Sequence, residues 1–536
     1  MINSRAIGDV SRMEESLLQR QRRDYVLLLP KILDDLTAVE FNKSAPVIVS
    51  KDSEALKKLF PKTYEQPLVS AKKGIQRLKK PLRVGVVFSG GQAAGGHNVI
   101  AGLFDALKKL DSESCLFGFL NGPNGIIDNK YQELTEELIA FYRNQGGFEL
   151  IGSGRAKIET DAQLESSLKA VSSLNLDGLV IIGGDDSNTN AAVLAEYFLQ
   201  KGCSAKVIGV PKTIDGDLKN AHVSISFGFD TACKCYSEMI GNIARDALSA
   251  KKYYHFIKLM GRSASHIALE CALATQPNYT WIGEEVAAKK MTLKQIVDIM
   301  KDLIEKRAEI GKTYGVILIP EGLIEFIPEI GALIRELNAL GEVPDVRATL
   351  STDALACFDM LPSDIQQQLL LDRDPHGNVQ VSLIETERLL IEMIKRSYSG
   401  KFSAVSHFFG YEGRAAFPSN FDSHYCYALG CTAALLIDEG LTGYMCCIKN
   451  LVEPVEKWEI GGIPLTMLMH LEMRKGKMKP VIQKALVNLK GNPFQRFSRI
   501  REDLMLQDTY RFPGPMQFFG NKSLTDTIPI TLIEET

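Results

Sequence analysis

Two carboxylates directly after two glycines form the strongest candidate site for phosphate chemistry. They follow the apolar run Leu179–Ile182, in the stretch Gly183-Gly184-Asp185-Asp186-Ser187-Asn188-Thr189. Glycines let the backbone approach a ligand, so backbone N–H groups and small hydroxyls here can surround a phosphate. Two adjacent carboxylates would repel a phosphate unless a cation lay between them, which makes Asp185 a candidate Mg²⁺ ligand. The alternative interpretation is an Asx-rich turn between a strand and a helix.

A second candidate site follows the apolar run Val207–Val210. A lysine, a hydroxyl and two carboxylates are close together in the stretch Pro211-Lys212-Thr213-Ile214-Asp215-Gly216-Asp217. Lysine is a compact charge that suits a phosphoryl oxygen. A nearby carboxylate can orient a sugar hydroxyl and take its proton. A polar turn with surface charges is the alternative.

A glycine-rich turn at residues 89–98 follows the apolar run Val84–Phe88. It suits a phosphate bound at a helix N-terminus. It has neither the Gly-x-Gly-x-x-Gly spacing of a dinucleotide site nor the Walker A pattern. His97 within it is more typical of a turn or packing residue than of a catalytic residue. The Gly-Lys-Thr at 311–313 has no glycine five positions earlier and precedes a strand, so it does not predict a nucleotide site.

Three shorter sites follow further apolar runs. They are Met260-Gly261-Arg262-Ser263-Ala264-Ser265-His266, Pro320-Glu321-Gly322 and Gly410-Tyr411-Glu412-Gly413-Arg414. Arg262 and Arg414 are candidates to bind a substrate phosphate or sugar hydroxyls. Each arginine taken alone is more typical of a surface charge.

The elements that must position these sites are strands buried on both faces, alternating with helices. The apolar runs predict strands, and Thr292 to Lys306 predicts an amphipathic helix with capping-box spacing between Thr292 and Gln295. This alternation indicates parallel sheets in a doubly wound α/β architecture, which binds ligands at the carboxyl ends of its strands. The predicted strands are Val84–Phe88, Leu179–Ile182, Val207–Val210, Phe256–Met260 and Val316–Ile319.

Composition excludes several classes of function. The chain has 536 residues, 45% of them hydrophobic and 24% charged, with a net charge of −3. This charge predicts no nucleic-acid partner and no anionic membrane surface. No apolar run approaches the roughly 18–20 residues of a membrane span, and Met1 to Arg23 lacks a signal-peptide core. Ten cysteines without a Cys-x-x-Cys pair predict reduced thiols in a cytoplasmic protein.

Five of these motifs, in this order along the chain, resemble the phosphofructokinase family from Leu82 to at least Gly430: those at residues 183–187, 211–217, 260–262, 320–322 and 410–414. They most resemble the long, pyrophosphate-dependent members, which the stretch Leu371–Asn378 and the N-terminal extension also match. The resemblance implies two doubly wound, Rossmann-like α/β lobes with the active site between them. The predicted division is a helical N-terminal extension (1–80), a donor-binding lobe (81–235), a sugar-binding lobe (236–404, with a helical insertion at about 323–403), and a C-terminal part (405–536) that returns to the first lobe.

The resemblance also implies residue roles. Asp215 would be the general base that takes the proton of the C1 hydroxyl of fructose 6-phosphate, supported by Asp217, and Asp185 would hold Mg²⁺. Lys212 and Arg262 would complete the catalytic group. The implied donor contacts are Gly90, Gly91, Arg155, Asp186, Ser187 and Lys212. The implied sugar contacts are Thr213, Asp215, Met260, Gly261, Arg262, Glu321, Tyr411 and Arg414.

Two positions separate phosphate donors in such enzymes. Users of ATP carry glycine where this chain has Asp186, and glycine or another small residue where it has Lys212. A carboxylate at 186 would fill the space of a nucleotide and repel it, while a lysine at 212 would neutralise pyrophosphate oxygens. Tyr253 occupies the position at which ATP users have an arginine that a neighbouring subunit contributes to the site. Tyr411 occupies the position at which ATP users have a histidine. Whether a neighbouring subunit completes the sugar site therefore stays open.

The predicted activity is reversible phosphoryl transfer from pyrophosphate to fructose 6-phosphate, giving fructose 1,6-bisphosphate and phosphate. The predicted cofactor is Mg²⁺, and the predicted assembly is a homodimer or higher homo-oligomer. The alternatives are an ATP-dependent sugar-phosphate kinase and a catalytically silent regulatory subunit. Asp185, Asp215 and Arg262 are all in place, which argues against the silent subunit.

Overall fold

The computed structural model describes residues 16–46, 51–341, 345–371, 373, 378–474 and 477–536. The start of the predicted N-terminal extension and most of the stretch Leu371–Asn378 lie outside these residues. The strands are β1 (Val39–Pro46), β2 (Pro67–Lys73), β3 (Arg83–Ser89), β4 (Cys115–Phe119), β5 (Tyr131–Glu133), β6 (Ser153–Gly154), β7 (Gly178–Gly183), β8 (Lys206–Pro211), β9 (Tyr254–Leu259), β10 (Tyr279–Thr280), β11 (Gly315–Pro320), β12 (Ala404–Phe409), β13 (Tyr444–Lys449), β14 (Glu459–Pro464), β15 (Met469–Arg474) and β16 (Lys477–Ile482).

The helices connect and cover these strands. They are α1 (Leu17–Arg23), α2 (Ser53–Leu59), α3 (Gly96–Leu110), α4 (Pro123–Ile127), α5 (Glu136–Tyr142), α6 (Asp161–Ser173), α7 (Asp185–Gln200), α8 (Phe229–Ala250), α9 (His266–Thr275), α10 (Gly283–Ala288), α11 (Leu293–Glu309), α12 (Leu323–Phe326), α13 (Pro328–Leu340), α14 (Val346–Thr349), α15 (Thr352–Met360), α16 (Ser363–Leu369), α17 (Thr386–Ser397), α18 (Tyr411–Arg414), α19 (Asn420–Asp438), α20 (Asn492–Leu506), α21 (Lys522–Thr525) and α22 (Ile530–Glu534). Helix α11 has the predicted capping box at Thr292 and Gln295.

The large sheet has the strand order β1-β2-β14-β13-β8-β7-β3-β4-β5, with β6 paired to the end of β3. Its centre, from β13 to β4, is parallel. Val86 and Phe88 of β3 face a core shared with α3, α8 and α19, whereas Val87 faces a core shared with α6 and α7. Helices therefore cover both faces, which confirms the doubly wound architecture.

The small sheet has the order β10-β11-β9-β12 and is parallel throughout. Ile257 and Val316 continue the core of the large sheet through α8 and α9. Phe256 and Ile317 face a separate core built by α11 to α17. The predicted helical insertion therefore forms the outer layer of this sheet.

The N-terminal segment is only partly helical, which corrects the prediction of a helical extension. Besides α1 and α2 it contains β1 and β2, which pair with each other and extend the large sheet beyond β14. Each of these two strands buries a single residue, Val39 in β1 and Val69 in β2. The alternating apolar pattern that identifies a strand is therefore missing from their sequences.

The C-terminal part adds strands to the large sheet and packs helices beside the small sheet. Strands β13 and β14 lie in the large sheet. Helix α20 and α22 instead pack beside α9, next to the small sheet. The exact domain boundaries remain predictions.

Helices α3 and α19 cross in direct backbone contact. A Cβ atom on Gly102 would lie 2.1 Å from the carbonyl oxygen of Tyr427, and one on Gly430 would lie 2.1 Å from that of Val99. Helix α3 follows the glycine-rich turn at 89–95, and α19 follows the segment that carries Arg414. This crossing therefore fixes two candidate sites relative to each other.

Gly102→Ala should destabilise the protein by about 1–3 kcal/mol, because the added methyl group overpacks this crossing. Thermal unfolding followed by circular dichroism measures the loss. Lys109→Ala, on the exposed side of the same helix, is the control and should change stability by less than about 0.5 kcal/mol. Equal melting temperatures for the two variants would contradict the close approach.

Candidate active site

The predicted sites meet in one cavity of about 260 Å³ between the two sheets. The cavity lies at the carboxyl ends of β3, β7 and β8 on one wall and of β9, β11 and β12 on the other. This is where parallel α/β sheets bind ligands. The predicted residues that line it are Gly90, Gly91, Arg155, Asp185, Asp186, Ser187, Lys212, Thr213, Asp215, Asp217, Met260, Arg262, Glu321, Tyr411 and Arg414.

The turn after β7 places two carboxylates at the start of a helix. Asp185 and Asp186 occupy the first turn of α7, where the helix dipole favours negative charge. The side-chain amide of Asn188 donates to the carbonyl oxygens of Gly183 (2.7 Å) and Gly184 (2.9 Å) and fixes the turn. The Ser187 hydroxyl lies 2.8 Å from that of Ser89 and ties the ends of β7 and β3 together.

Lys212 is a buried cation on the same wall. Its side chain is almost inaccessible, and its Nζ would lie 3.3 Å from a Cβ atom on Gly90, whose φ is +89°. Burial, and then the charge of Arg414, lower the pKa of Lys212 to about 8, although Asp215, Asp185 and Asp217 oppose the shift. A phosphate bound here would contact an ammonium group that few water molecules can reach.

The two carboxylates that follow Lys212 lie in different environments. Asp215 is half-buried and faces the cavity, and its backbone N–H donates to the Thr213 hydroxyl (3.1 Å). Asp217 is buried, and burial together with the charges of Asp215 and Asp185 raises its pKa to about 7. Asp215, the more accessible of the two, is therefore the carboxylate placed to accept a proton from a ligand, and buried Asp217 can support it.

The opposite wall is built around Glu321. The backbone N–H of Gly261 donates to its carboxylate (2.8 Å), and burial raises the pKa of this acid. A Cβ atom on Gly322 would lie 2.0 Å from the carbonyl oxygen of Arg262, so only glycine fits this approach. Arg262, which precedes this turn, is exposed and lines the cavity.

Arg414 connects the two walls. Its Nε donates to the carbonyl oxygen of Gln92 (2.8 Å), and its guanidinium would lie 2.8 Å from a Cβ atom on Gly91. The glycine at 91 thus makes room for the arginine. Tyr411 is at the edge of the cavity with 64% of its surface exposed.

Two lysines of the cavity escaped the sequence prediction. Lys157 pairs with Asp186 at 3.0 Å, and its closeness to Arg155 in the sequence is a signal that could have found it. Lys484 lies 3.6 Å from Asp185 and donates to the Ser263 hydroxyl. Burial opposes its charge, but Asp185 and Asp217 raise the pKa of Lys484. It follows the strand of a small hairpin with no glycine or motif around it, so no sequence signal marked it.

The start of α3 does not line the cavity, contrary to the expectation of a phosphate at that helix N-terminus. A Cβ atom on Gly96 would lie 2.3 Å from the ring of Phe148, which covers the helix start. His97 is buried against Phe88 and Tyr142, and burial lowers its pKa to about 3. Its role is packing, in agreement with the sequence analysis. Within residues 89–98, Ser89, Gly90 and Gly91 line the cavity.

The Gly-Lys-Thr at 311–313 lies away from the cavity, as expected. Lys312 pairs with Asp508 at 3.0 Å. Among the described residues, no group of three or more histidine, cysteine, aspartate or glutamate side chains is arranged to hold a metal ion by itself. No helix within the described ranges is both long and apolar enough to cross a membrane.

Comparison with known proteins places the cavity in context. The family model described as "Phosphofructokinase" matches residues 83–437. The chain is 52% identical to the pyrophosphate–fructose 6-phosphate 1-phosphotransferase of Treponema pallidum (strain Nichols), over 97% of each chain. It is 49% identical to the protein of that name from Entamoeba histolytica, over 98% of this chain and 100% of that one. A crystal structure of a pyrophosphate-dependent phosphofructokinase from Marinobacter aquaeolei shares the fold, with a TM-score of 0.54 and 16% identity over 81% of this chain and 94% of that one.

Asp217→Asn should stabilise the ligand-free protein above neutral pH. The folded-state pKa of Asp217 is raised from 3.8 to about 7, so the native state loses stability as pH rises from about 4 to about 7, a range in which the unfolded chain has already released this proton. The amide cannot ionise, and we expect a melting temperature roughly 1–3 °C above that of the wild type at pH 8, with a smaller gain at pH 5.5. Differential scanning calorimetry at the two pH values measures it, and a gain that is equal at both would contradict the assignment.

Proposed function

The chain belongs to the phosphofructokinase family, and we propose that it transfers a phosphoryl group reversibly between pyrophosphate and the C1 hydroxyl of fructose 6-phosphate. The products are fructose 1,6-bisphosphate and phosphate. The observation that carries the proposal is the presence of Asp186 and Lys212 in the same cavity as Asp215. The names of relatives about half identical over almost the whole chain support the same reaction.

On the donor side, Lys212 would bind pyrophosphate oxygens beside Gly90, Gly91, Arg155 and Ser187. Because residue 90 is a glycine, the space beside the Lys212 Nζ stays open for a phosphate. A side chain at this position would contact the ammonium instead. Asp186, paired with Lys157, would fill the space that a nucleotide needs beyond its terminal phosphates. This lobe is proposed to span residues 81–235.

Mg²⁺ fits the donor side by the chemistry of the residues present. Mg²⁺ is usually held by one or two carboxylates plus substrate phosphates and waters, and does not need an all-protein cage. Asp185 would hold the ion. Asp217 is close by, and the Lys484 ammonium lies between the two carboxylates, 3.6 Å from Asp185 and 3.9 Å from Asp217. When bound, the ion would neutralise charge on the phosphates.

On the acceptor side, Asp215 would take the proton of the C1 hydroxyl, and buried Asp217 would support it. The hydroxyl oxygen then forms a bond to phosphorus as the bond to the leaving phosphate breaks. Fixed cations around the site would stabilise charge on the transferred group. The sugar and its 6-phosphate would contact residues of the lobe proposed at 236–404 and of the segment after it: Met260, Gly261, Arg262, Glu321, Tyr411 and Arg414, together with Thr213 from the donor lobe.

A second copy of the chain is proposed to complete the assembly. Edge strand β12 and nearby exposed aromatic side chains support a partner: Tyr253 is 39% exposed, Phe408 38% and Tyr411 64%. All ten cysteines are free of disulfides, which supports a cytoplasmic location. A silent regulatory subunit has no need of Asp185, Asp215 and Arg262 around one cavity, so the residues present favour an active enzyme.

Asp215→Ala should lower turnover by about 10²–10⁴-fold, the usual contribution of a general base. The Michaelis constant for fructose 6-phosphate should change much less, because the sugar keeps its other contacts. Steady-state assays in both reaction directions measure the effect. Retention of more than about a tenth of wild-type turnover would remove Asp215 from the role of base.

The donor assignment is tested by assaying the purified wild type with pyrophosphate and with ATP. Activity should require pyrophosphate. Asp186→Gly should allow or raise activity with ATP, because it removes both bulk and a repulsive charge. Lys212→Gly should lower the efficiency with pyrophosphate by about 10–150-fold, the value of one charge-assisted hydrogen bond.

The wild type and the Asp186→Gly variant test two separate parts of the donor assignment. A wild type that uses ATP as well as pyrophosphate would overturn the donor specificity itself. An Asp186→Gly variant with no gain on ATP would overturn only the mechanism of exclusion. The two substitutions share one site, so the effects of the double variant need not add.

A further inference from the structure

Lys484 lies on a segment that joins both walls of the cavity. This segment follows β16, and the backbone just after the lysine is hydrogen-bonded to both walls. The backbone N–H of Ala485 donates to the carbonyl oxygen of Asp217 (2.8 Å), while His266 on the opposite wall donates through Nε2 to the carbonyl oxygen of Ala485 (3.1 Å). The N–H of Val487 donates to the carboxylate of Glu284 (2.9 Å). These bonds hold the lysine backbone at the junction of the walls.

The ammonium of Lys484 contacts side chains from both walls. It donates to the hydroxyl of Ser263, which follows the sugar-side Arg262, at 2.8 Å. It lies 3.6 Å from Asp185 and 3.9 Å from Asp217, which belong to the donor side. At these two distances the carboxylates attract the ammonium without hydrogen bonds to it.

An ammonium has three donors, and the contacts named leave part of that capacity for a ligand. The side chain is 34% exposed, and the exposed part faces the cavity that it lines. The ammonium is therefore an accessible cation between the group proposed to hold the donor and the group proposed to hold the acceptor.

Lys212 holds a different position. It is buried against Gly90, one of the proposed donor contacts, so it belongs to the donor end of the cavity. A phosphoryl group that leaves the donor moves away from such a fixed contact toward the sugar. Catalysis of this transfer depends on cations fixed where charge develops on the moving group. The residues matched by the family model end at 437, well before Lys484.

We propose that Lys484 is a further catalytic residue, whose ammonium contacts the transferred phosphoryl group between donor and acceptor. The inference rests on the proposed function. In the step, the bond from phosphorus to the leaving phosphate oxygen breaks, the bond to the C1 oxygen forms, and the hydroxyl proton goes to Asp215. Lys484 forms no covalent bond and keeps its proton throughout.

The test compares Lys484→Met, which removes the charge, with Lys484→Arg, which keeps it. We expect Lys484→Met to lower kcat by about 10²-fold, the usual cost of removing one donor to a transition-state oxyanion. The Michaelis constants for pyrophosphate and fructose 6-phosphate should stay within about threefold of wild type. Lys484→Arg should recover at least about a tenth of the wild-type kcat.

A lysine of the same hairpin serves as the control. Lys479 pairs with Glu159 at 3.1 Å on the surface, outside the cavity. Lys479→Met removes a paired lysine charge from the same part of the chain and should leave kcat unchanged. If Lys484→Met does not fold, as shown by circular dichroism, Lys484→Gln keeps a donor for Ser263 and is judged by the same criteria.

Three outcomes would overturn the inference. The first is a charge-free variant with kcat within about threefold of wild type. The second is a loss confined to the Michaelis constants, which would make Lys484 a binding contact for the ground state. The third is an arginine variant as defective as the charge-free one, since a purely structural role is not rescued by charge. A wild type active only with ATP would refute the donor proposal alone, and Lys484 is then judged with ATP. A wild type inactive with both donors overturns both.

Discussion

Mutual repulsion among the carboxylates of the cavity is the constraint on which the rest of the site depends. Asp185 and Asp217 come from the ends of neighbouring strands, and together with Asp215 they place three acids on one wall. Burial first, and then the charges of Asp215 and Asp185, raise the pKa of Asp217 to about 7, which expresses the cost of placing these acids together. Such groups stay together only when rigid surroundings hold them. Strands buried on both faces provide that rigidity, and cations from other segments offset the charge.

The two lysines that face these acids differ in how they respond to a phosphate. Burial and Arg414 lower the pKa of Lys212 to about 8, so its charge is held weakly near neutral pH. The pKa of Lys484 is raised by Asp185 and Asp217 despite its burial. A bound phosphate would favour the charged form of Lys212, so donor binding at mildly alkaline pH would draw a proton from solution. Lys484 would hold its charge before and after binding.

Much of the fold and most of the cavity followed from the sequence, because buried parallel strands leave continuous apolar runs and gather their ends at one edge. The sequence predictions that were wrong failed at particular elements. Strands β1 and β2 at one end of the large sheet bury one residue each and carry no alternation, and Phe148 covers the start of α3 from a distant part of the chain. Lys484 reaches the cavity through tertiary hydrogen bonds of its segment, a placement that spacing along the chain does not encode.

The position of β13 inside the large sheet has a consequence for biosynthesis. It pairs with β8 on one side and β14 on the other, although β8 ends at Pro211 and β13 begins at Tyr444. At translation speeds of about 5–20 residues per second, the edge of β8 would wait roughly 10–50 s for its neighbour. During that interval the nascent chain presents an open, apolar strand edge, a template for intermolecular pairing. We therefore expect the growing polypeptide to depend on chaperones that shield this edge until β13 emerges from the ribosome.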